Sequence, residues 1–270
     1  MPHLKLDNNE YTLFYQVWGS GQPLVLIAGL GYDHWMWHKM IPLLAEHLQV
    51  IAFDNRGVGQ SDKPAGPYSA PLLAADTAGL IEALDIGPTA VMGHSMGGFI
   101  AQELTLSRPE LVGKLILSAT NFGGPRHIPV TQEALAVLTD MQSDPIERLR
   151  RGILISCAPG FGERHPEIVQ EWLDYRMRNP ILPAPYQAQL AIGMALMSEA
   201  ACFEHRLKDV HVPALILFGE HDKVVPPGNA DLLASQISDS TVEILANAGH
   251  FFPFEVPQQA TSAIVRFLLG

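Results

Sequence analysis

Cysteine is nearly absent from this chain: of 270 residues only Cys157 and Cys202 carry a thiol, and no CxxC pair occurs. Neither a disulfide framework nor a cysteine-rich zinc site can be built from two isolated thiols. Charge is also scarce, with Asp, Glu, Lys and Arg making up 17% of residues. The balance is 17 basic against 28 acidic side chains, a net charge of −11, which is the wrong sign for a surface that must neutralise phosphates. Nucleic acid is therefore not an expected partner. No uninterrupted apolar run reaches the roughly 18 residues of a membrane span, and no membrane association is expected. The stretch from Met1 to Tyr15 is broken by Lys5, Asp7, Asn8, Asn9 and Glu10 and has no apolar leader region, so a soluble, cytoplasmic protein is expected. The third glycine of a dinucleotide fingerprint is missing after both Gly29-x-Gly31 and Gly57-x-Gly59, and no Walker A lysine occurs. His34 and His38 stand four apart, yet the Glu of H-E-x-x-H is missing, and a helix face is the simpler reading. No metal and no cofactor is expected.

What is present is a core: 47% of residues are hydrophobic, and a chain of this length buries about three quarters of its unfolded surface. Short aliphatic runs bounded by Gly or Asp alternate with longer stretches of helical spacing. Leu24 to Ala28, Gln49 to Phe53, Thr89 to Met92, Lys114 to Ser118, Ala214 to Phe218 and Thr241 to Leu245 read as buried strands. Tyr11 to Val17 pairs with Leu4 to Leu6 across Asn8-Asn9 as an antiparallel start. Trp35 to His47, Pro71 to Leu84, Gly97 to Ser107, Gly228 to Gln236 and Pro257 to Leu268 carry apolar residues three and four apart and read as covering helices. The pattern predicts an α/β fold, a doubly wound and mostly parallel sheet. Alternation stops after Thr120 and resumes at Val212. Thr131 to Met141, Pro145 to Ser156, Pro166 to Arg178 and Tyr186 to Met197 read as four helices with proline-marked starts, an inserted unit. The expected division is a core of residues 1–120 and 207–270 with a helical insert over 121–206.

Directly after the strand ending at Met92 comes Gly93-His94-Ser95-Met96-Gly97-Gly98, a G-x-S-x-G turn between strand and helix. Such a turn lifts a serine hydroxyl out of the sheet, and the flanking glycines let strand and helix approach. The Met96 N–H, at the start of the following helix, is placed to meet an oxyanion. A serine nucleophile needs a base and a group to orient it. Downstream, Gly219-Glu220-His221-Asp222 follows one strand and Asn247-Ala248-Gly249-His250 follows the next.

The order Ser95, Asp222, His250, together with Asp54-Asn55-Arg56-Gly57-Val58-Gly59-Gln60-Ser61-Asp62, resembles the α/β-hydrolase superfamily over nearly the whole chain. The resemblance implies Ser95 as nucleophile, His250 as general base then acid, and Asp222 as the carboxylate that holds the imidazole. Glu220 is a competitor, but the family's G-x-x-D spacing favours Asp222. Many members carry His-Gly after the third strand where this chain has Ala28-Gly29-Leu30-Gly31. The donor there is a backbone N–H, so resemblance points to Leu30 as partner to Met96 in the oxyanion hole, with Gly29 and His94 adjoining the substrate. Asp54 and Arg56 read as a turn-stabilising pair. The insert is expected to act as a cap, with Leu138, Met141, Phe161, Trp172, Met194 and Met197 lining an apolar pocket. Seven arginines of the insert keep an anionic substrate open.

A serine at this position excludes the carboxylate chemistry of haloalkane dehalogenases and epoxide hydrolases. The sequence is similar to small bacterial carboxylesterases, enol-lactonases and acyl-homoserine lactonases, which implies hydrolysis of a small-molecule ester or lactone with mainly apolar acyl groups. Two alternatives share the same residues, a carbon-carbon hydrolase of ring-cleavage products and a low-turnover small-molecule receptor. A proline iminopeptidase is disfavoured by the lack of an acidic cluster in the insert.

Overall fold

A computed structural model of the chain describes residues 3–6, 11–140 and 142–270. Eight strands form one sheet: β1 (His3–Leu6), β2 (Tyr11–Trp18), β3 (Pro23–Ile27), β4 (Gln49–Phe53), β5 (Thr89–His94), β6 (Val112–Ser118), β7 (Ala214–Gly219) and β8 (Ser240–Leu245). Their order is β1-β2-β4-β3-β5-β6-β7-β8; β1 and β2 pair antiparallel, as do β2 and β4, and the remaining pairs are parallel. All six strands read from the apolar runs are present, but β8 is the edge of the sheet and, with a neighbour on one side alone, leaves Val242 and Ile244 exposed instead of buried as expected. The β1–β2 pairing is as expected, while the Asn8-Asn9 turn lies outside the described residues.

The helices are α1 (Ile41–Leu44), α2 (Ala70–Ala83), α3 (Met96–Ser107), α4 (Gln132–Leu138), α5 (Pro145–Ser156), α6 (Phe161–Arg164), α7 (Pro166–Arg178), α8 (Pro183–Ala195), α9 (Gly228–Ala234), α10 (Phe252–Glu255) and α11 (Pro257–Leu269). Alternate strand residues feed two cores, as the pleat requires. Val25, Ile27, Ile51 and Phe53 pack on one face with Leu73 of α2, Ile100 of α3 and Leu233 of α9. Leu24, Leu26, Val50 and Ala52 pack on the other with Trp37, Leu44 of α1 and Ile264 of α11. None of the described helices is long and apolar enough to cross a membrane.

Three expectations change. Trp35 to His47 is not one helix but a 3-10 turn (His34–Trp37) followed by the single turn α1. Pro42, in the first turn of α1, lacks an N–H, and its ring would clash with a carbonyl four residues back in a continuous helix. The hydrogen bonds before it run i to i+3, from Met36 N to Asp33 O and from Met40 N to Trp37 O. In the 121–206 region a fifth helix, α6, appears after left-handed Gly160. The last helix there starts at Pro183, not Tyr186, because proline suits a first helical turn.

Candidate active site

β3 lies between β4 and β5, so the strand order turns at this point and the loops after β3 and β5 meet at the carboxyl edge of the sheet. That edge is where open parallel sheets bind ligands. Ser95 occupies the junction of β5 and α3 with φ 54° and ψ −118°. A non-glycine residue held there costs on the order of 1–3 kcal/mol, which the surroundings must supply. They do so with hydrogen bonds: Ser95 N donates to Ser118 O at 2.9 Å, and Ser95 O accepts from Thr120 Oγ1 at 2.8 Å. A Cβ on Gly93 would overlap the Gly97 carbonyl and one on Gly97 would overlap the Ile27 carbonyl, so Gly93 lets β5 approach α3 and Gly97 lets α3 approach the end of β3. Ser95 Oγ itself has no hydrogen-bond partner among the described residues.

The loop after β3 lies against this serine. A Cβ on Gly29 would stand 3.3 Å from Ser95 Cβ, so the β3 loop presses against the Ser95 turn. Neither Leu30 N–H nor Met96 N–H donates to a protein acceptor among the described residues, and Met96 N–H is at the positive end of α3.

Asp222 and His250, on the loops after β7 and β8, form the other half of the site. His250 Nδ1 lies 2.8 Å from Asp222 Oδ2, and the pair is 4% and 3% exposed. Asp222 Oδ1 accepts the N–H groups of Val224 and Val225, both at 2.8 Å. With Nδ1 donating to the carboxylate, the His250 Nε2 lone pair is free to accept a proton. Glu220 is engaged elsewhere: its Oε2 accepts from Asn247 N at 3.1 Å and lies beside His221.

His94, expected beside the substrate, is packed inside the fold. It is 1% exposed, its Nδ1 lies 2.8 Å from Ser118 Oγ, and its ring stands 4.9 Å from that of His250. Burial, aided by the charge of His250, pushes its pKa well down, so it is a neutral ring packed behind the pair.

The side chains expected to line an apolar pocket divide between the core and the surface. Trp172 is fully buried, stacked on Phe254 at 3.9 Å and edge-on to Phe251 at 4.4 Å, and Phe161 is buried in the same cluster. Leu138, Met194 and Met197 are exposed. Met141 lies outside the described residues. Helical spacing marks which side chains share a face, and here that face was used for packing between helices or was left in solvent. A cleft of 220 Å³ opens beside the β3 loop, with Gly31, Asp33, Lys63, Arg176 and Arg178 in its walls and neither Ser95 nor His250.

Asp54 and Arg56 do not pair with one another. Asp54 holds His34 (Nδ1 at 2.7 Å) and Gln60 N–H (2.7 Å), whereas Arg56 makes a two-pronged contact with Asp76 at 2.9 and 2.7 Å. Donor atoms of Asp33, His34 and Asp54 lie within 4.8 Å of one another, but Asp33 is already engaged with Trp35 N–H and Tyr175 OH. Two polar residues escaped sequence reasoning because their partners are remote. Buried Gln189 accepts from Gly31 N–H at 2.8 Å and donates to Arg56 O at 2.9 Å, and Glu255 accepts from Gly249 N–H and Ala158 N–H.

Comparison with known proteins agrees with this fold. A family model described as alpha/beta hydrolase fold matches residues 22–257. BpoC of Mycobacterium tuberculosis, provisionally named a non-heme bromoperoxidase, is 32% identical over 266 residues, covering 95% of this chain and 97% of that one. An esterase from Thermogutta terrifontis superposes with a TM-score of 0.78 at 28% identity, covering 98% of this chain and 97% of the esterase. The enol-lactonase of Burkholderia xenovorans LB400 gives 0.79 at 25% identity with both chains fully covered.

Proposed function

This chain belongs to the alpha/beta hydrolase fold family, and from that premise we propose that it is a serine hydrolase of carboxylic esters or lactones with small to medium, mainly apolar acyl groups. The observation that carries the reading is the strained Ser95, its hydroxyl and the Leu30 and Met96 N–H groups all without hydrogen-bond partners among the described residues, at the sheet edge that also carries the Asp222–His250 pair. The esterase and enol-lactonase relatives support the same substrate class.

In this reading Ser95 Oγ attacks the acyl carbon as His250 Nε2 takes its proton. Asp222 fixes the imidazole by its Nδ1–H and stabilises the imidazolium. The carbonyl oxygen becomes an oxyanion and accepts from Leu30 and Met96 N–H, a pair whose members are each worth about a hundredfold or more in rate. His250 returns the proton to the departing alkoxide, the C–O bond breaks, and an acyl-Ser95 ester remains. Water, deprotonated by His250, adds to that ester, and the acid leaves as Ser95 recovers its proton. In a lactone the leaving alkoxide stays tethered and the product is a hydroxy acid. The helices of residues 121–206 act as a cap that shapes access to Ser95.

The test is steady-state hydrolysis of p-nitrophenyl esters from acetate to decanoate, beside a γ-lactone and an acyl-homoserine lactone followed by acid release. Turnover of one class, lost in Ser95→Ala, is the expected result. A folded protein inert to all of them, yet cleaving a vinylogous diketone or only binding ligand, overturns it.

A further inference from the structure

Glu255 joins two segments of chain that are far apart in sequence. Its Oε1 accepts the Gly249 N–H at 2.9 Å and its Oε2 accepts the Ala158 N–H at 2.6 Å. Gly249 immediately precedes His250, and Ala158 lies just past the end of α5. The residue after His250 is held on the same turn, since Phe251 N donates to Ser156 O at 3.2 Å. Gly249 fits against this turn only without a side chain: a Cβ there would stand 2.6 Å from Ser156 O and 2.7 Å from the Cys157 carbonyl carbon. Both flanks of His250 are thus fixed to residues 156–158, one directly and one through the Glu255 carboxylate.

We propose that Glu255 is a positioning residue for His250: it clamps the histidine loop to the end of α5 and places a second negative charge, after Asp222, near the imidazolium formed during turnover. This rests on His250 being the base of the reaction above. Without the carboxylate, the Gly249 and Ala158 N–H groups lose their acceptors, and the histidine loses one of its two tethers.

The electrostatic surroundings agree. Burial pushes the Glu255 carboxyl up to about 7; its two N–H donors and the charge of His250 pull it down, and Asp222 pushes it up. The groups facing it are Asp222, His250 and Cys157, whose thiol is held well above its ordinary range by burial and by Glu255 itself. His94, behind His250, is neutral, and His38 packs on the ring of neighbouring Phe254.

Glu255→Gln keeps the shape, removes the charge and puts an amide donor where one N–H needs an acceptor. Its kcat on the best ester should fall about ten- to a hundredfold from the displaced imidazole, with KM changed less than about threefold. Its kcat/KM profile should shift around pH 7, where the wild-type Glu255 carboxyl ionises beside His250 and the amide does not. The same shift should appear in the His250 imidazole titration followed by NMR in a Ser95→Ala background, where no turnover is needed. An unchanged kcat, or a fall in kcat with neither titration moved, overturns the proposal. If Glu255→Gln does not fold, Glu255→Asp decides: the shorter carboxylate cannot reach both N–H groups, so kcat should fall about tenfold with KM near that of wild type, and an unchanged kcat overturns the clamp. Absence of ester turnover in wild-type protein would sink the catalytic reading alone, while the NMR arm still judges Glu255.

Discussion

Asp222 meets His250 with only one of its two oxygens: Oδ2 takes the imidazole Nδ1 at 2.8 Å, while Oδ1 is fixed by the N–H groups of Val224 and Val225. The carboxylate cannot rotate without losing those bonds, so the ring is held in one tautomer. Asp222→Asn would present an amide to Nδ1 and favour the wrong tautomer. A loss of roughly four orders of magnitude in kcat with folding intact is expected. Glu220→Gln, on an exposed side chain turned toward Asn247 N, should leave ester hydrolysis within about twofold.

Gln189 ties α8 to the loop that carries Leu30. Gln189→Leu strands a buried acceptor and a buried donor, Arg56 O and Gly31 N–H, at about 1–3 kcal/mol each. Chemical denaturation should register that loss. If the bridge also sets the Leu30 donor, kcat falls by a larger factor than KM rises.

His34 gives a pH signature. Burial lowers its pKa, but the hydrogen bond and charge of Asp54 outweigh it, and the folded value lies above the ordinary 6.5. A raised value means stability present in full below 6.5 and lost as pH rises through the folded value. The melting temperature of wild type should therefore exceed that of His34→Gln by more at about pH 6 than at about pH 9. An equal difference at both would remove the His34–Asp54 pair from the account.

Arg176 is buried, its guanidinium carbon 4.0 Å from the Tyr32 ring centroid, and its Nε and Nη2 have no hydrogen-bond partner among the described residues. A buried cation so poorly satisfied is replaceable by an apolar side chain of similar length without loss. Arg176→Met should melt at or above the wild-type temperature, and a fall of several degrees would contradict this.

The strands were legible because buried parallel strands are continuous apolar runs, and Ser95 because strand, glycine-flanked serine and helix follow one another locally. Asp222 and His250 were legible as loop residues after strands. Trp35 to His47 misled because its apolar spacing outweighed Pro42. In the insert, apolar spacing marks only a shared face: Trp172 shares one with its helix neighbours, and the fold decides that this face meets Phe251 and Phe254. Gln189 and Glu255 were invisible, since their acceptors and donors are remote backbone groups to which no sequence spacing points.

The most direct test of Ser95 as nucleophile is to quench wild-type protein during turnover of p-nitrophenyl butyrate and weigh its peptides by mass spectrometry. A butyryl mass on the peptide containing Ser95, absent from Ser95→Ala, which itself has lost nearly all turnover, is the expected result. Ester hydrolysis at close to wild-type rate by folded Ser95→Ala, with no acyl peptide in wild type, would contradict the account.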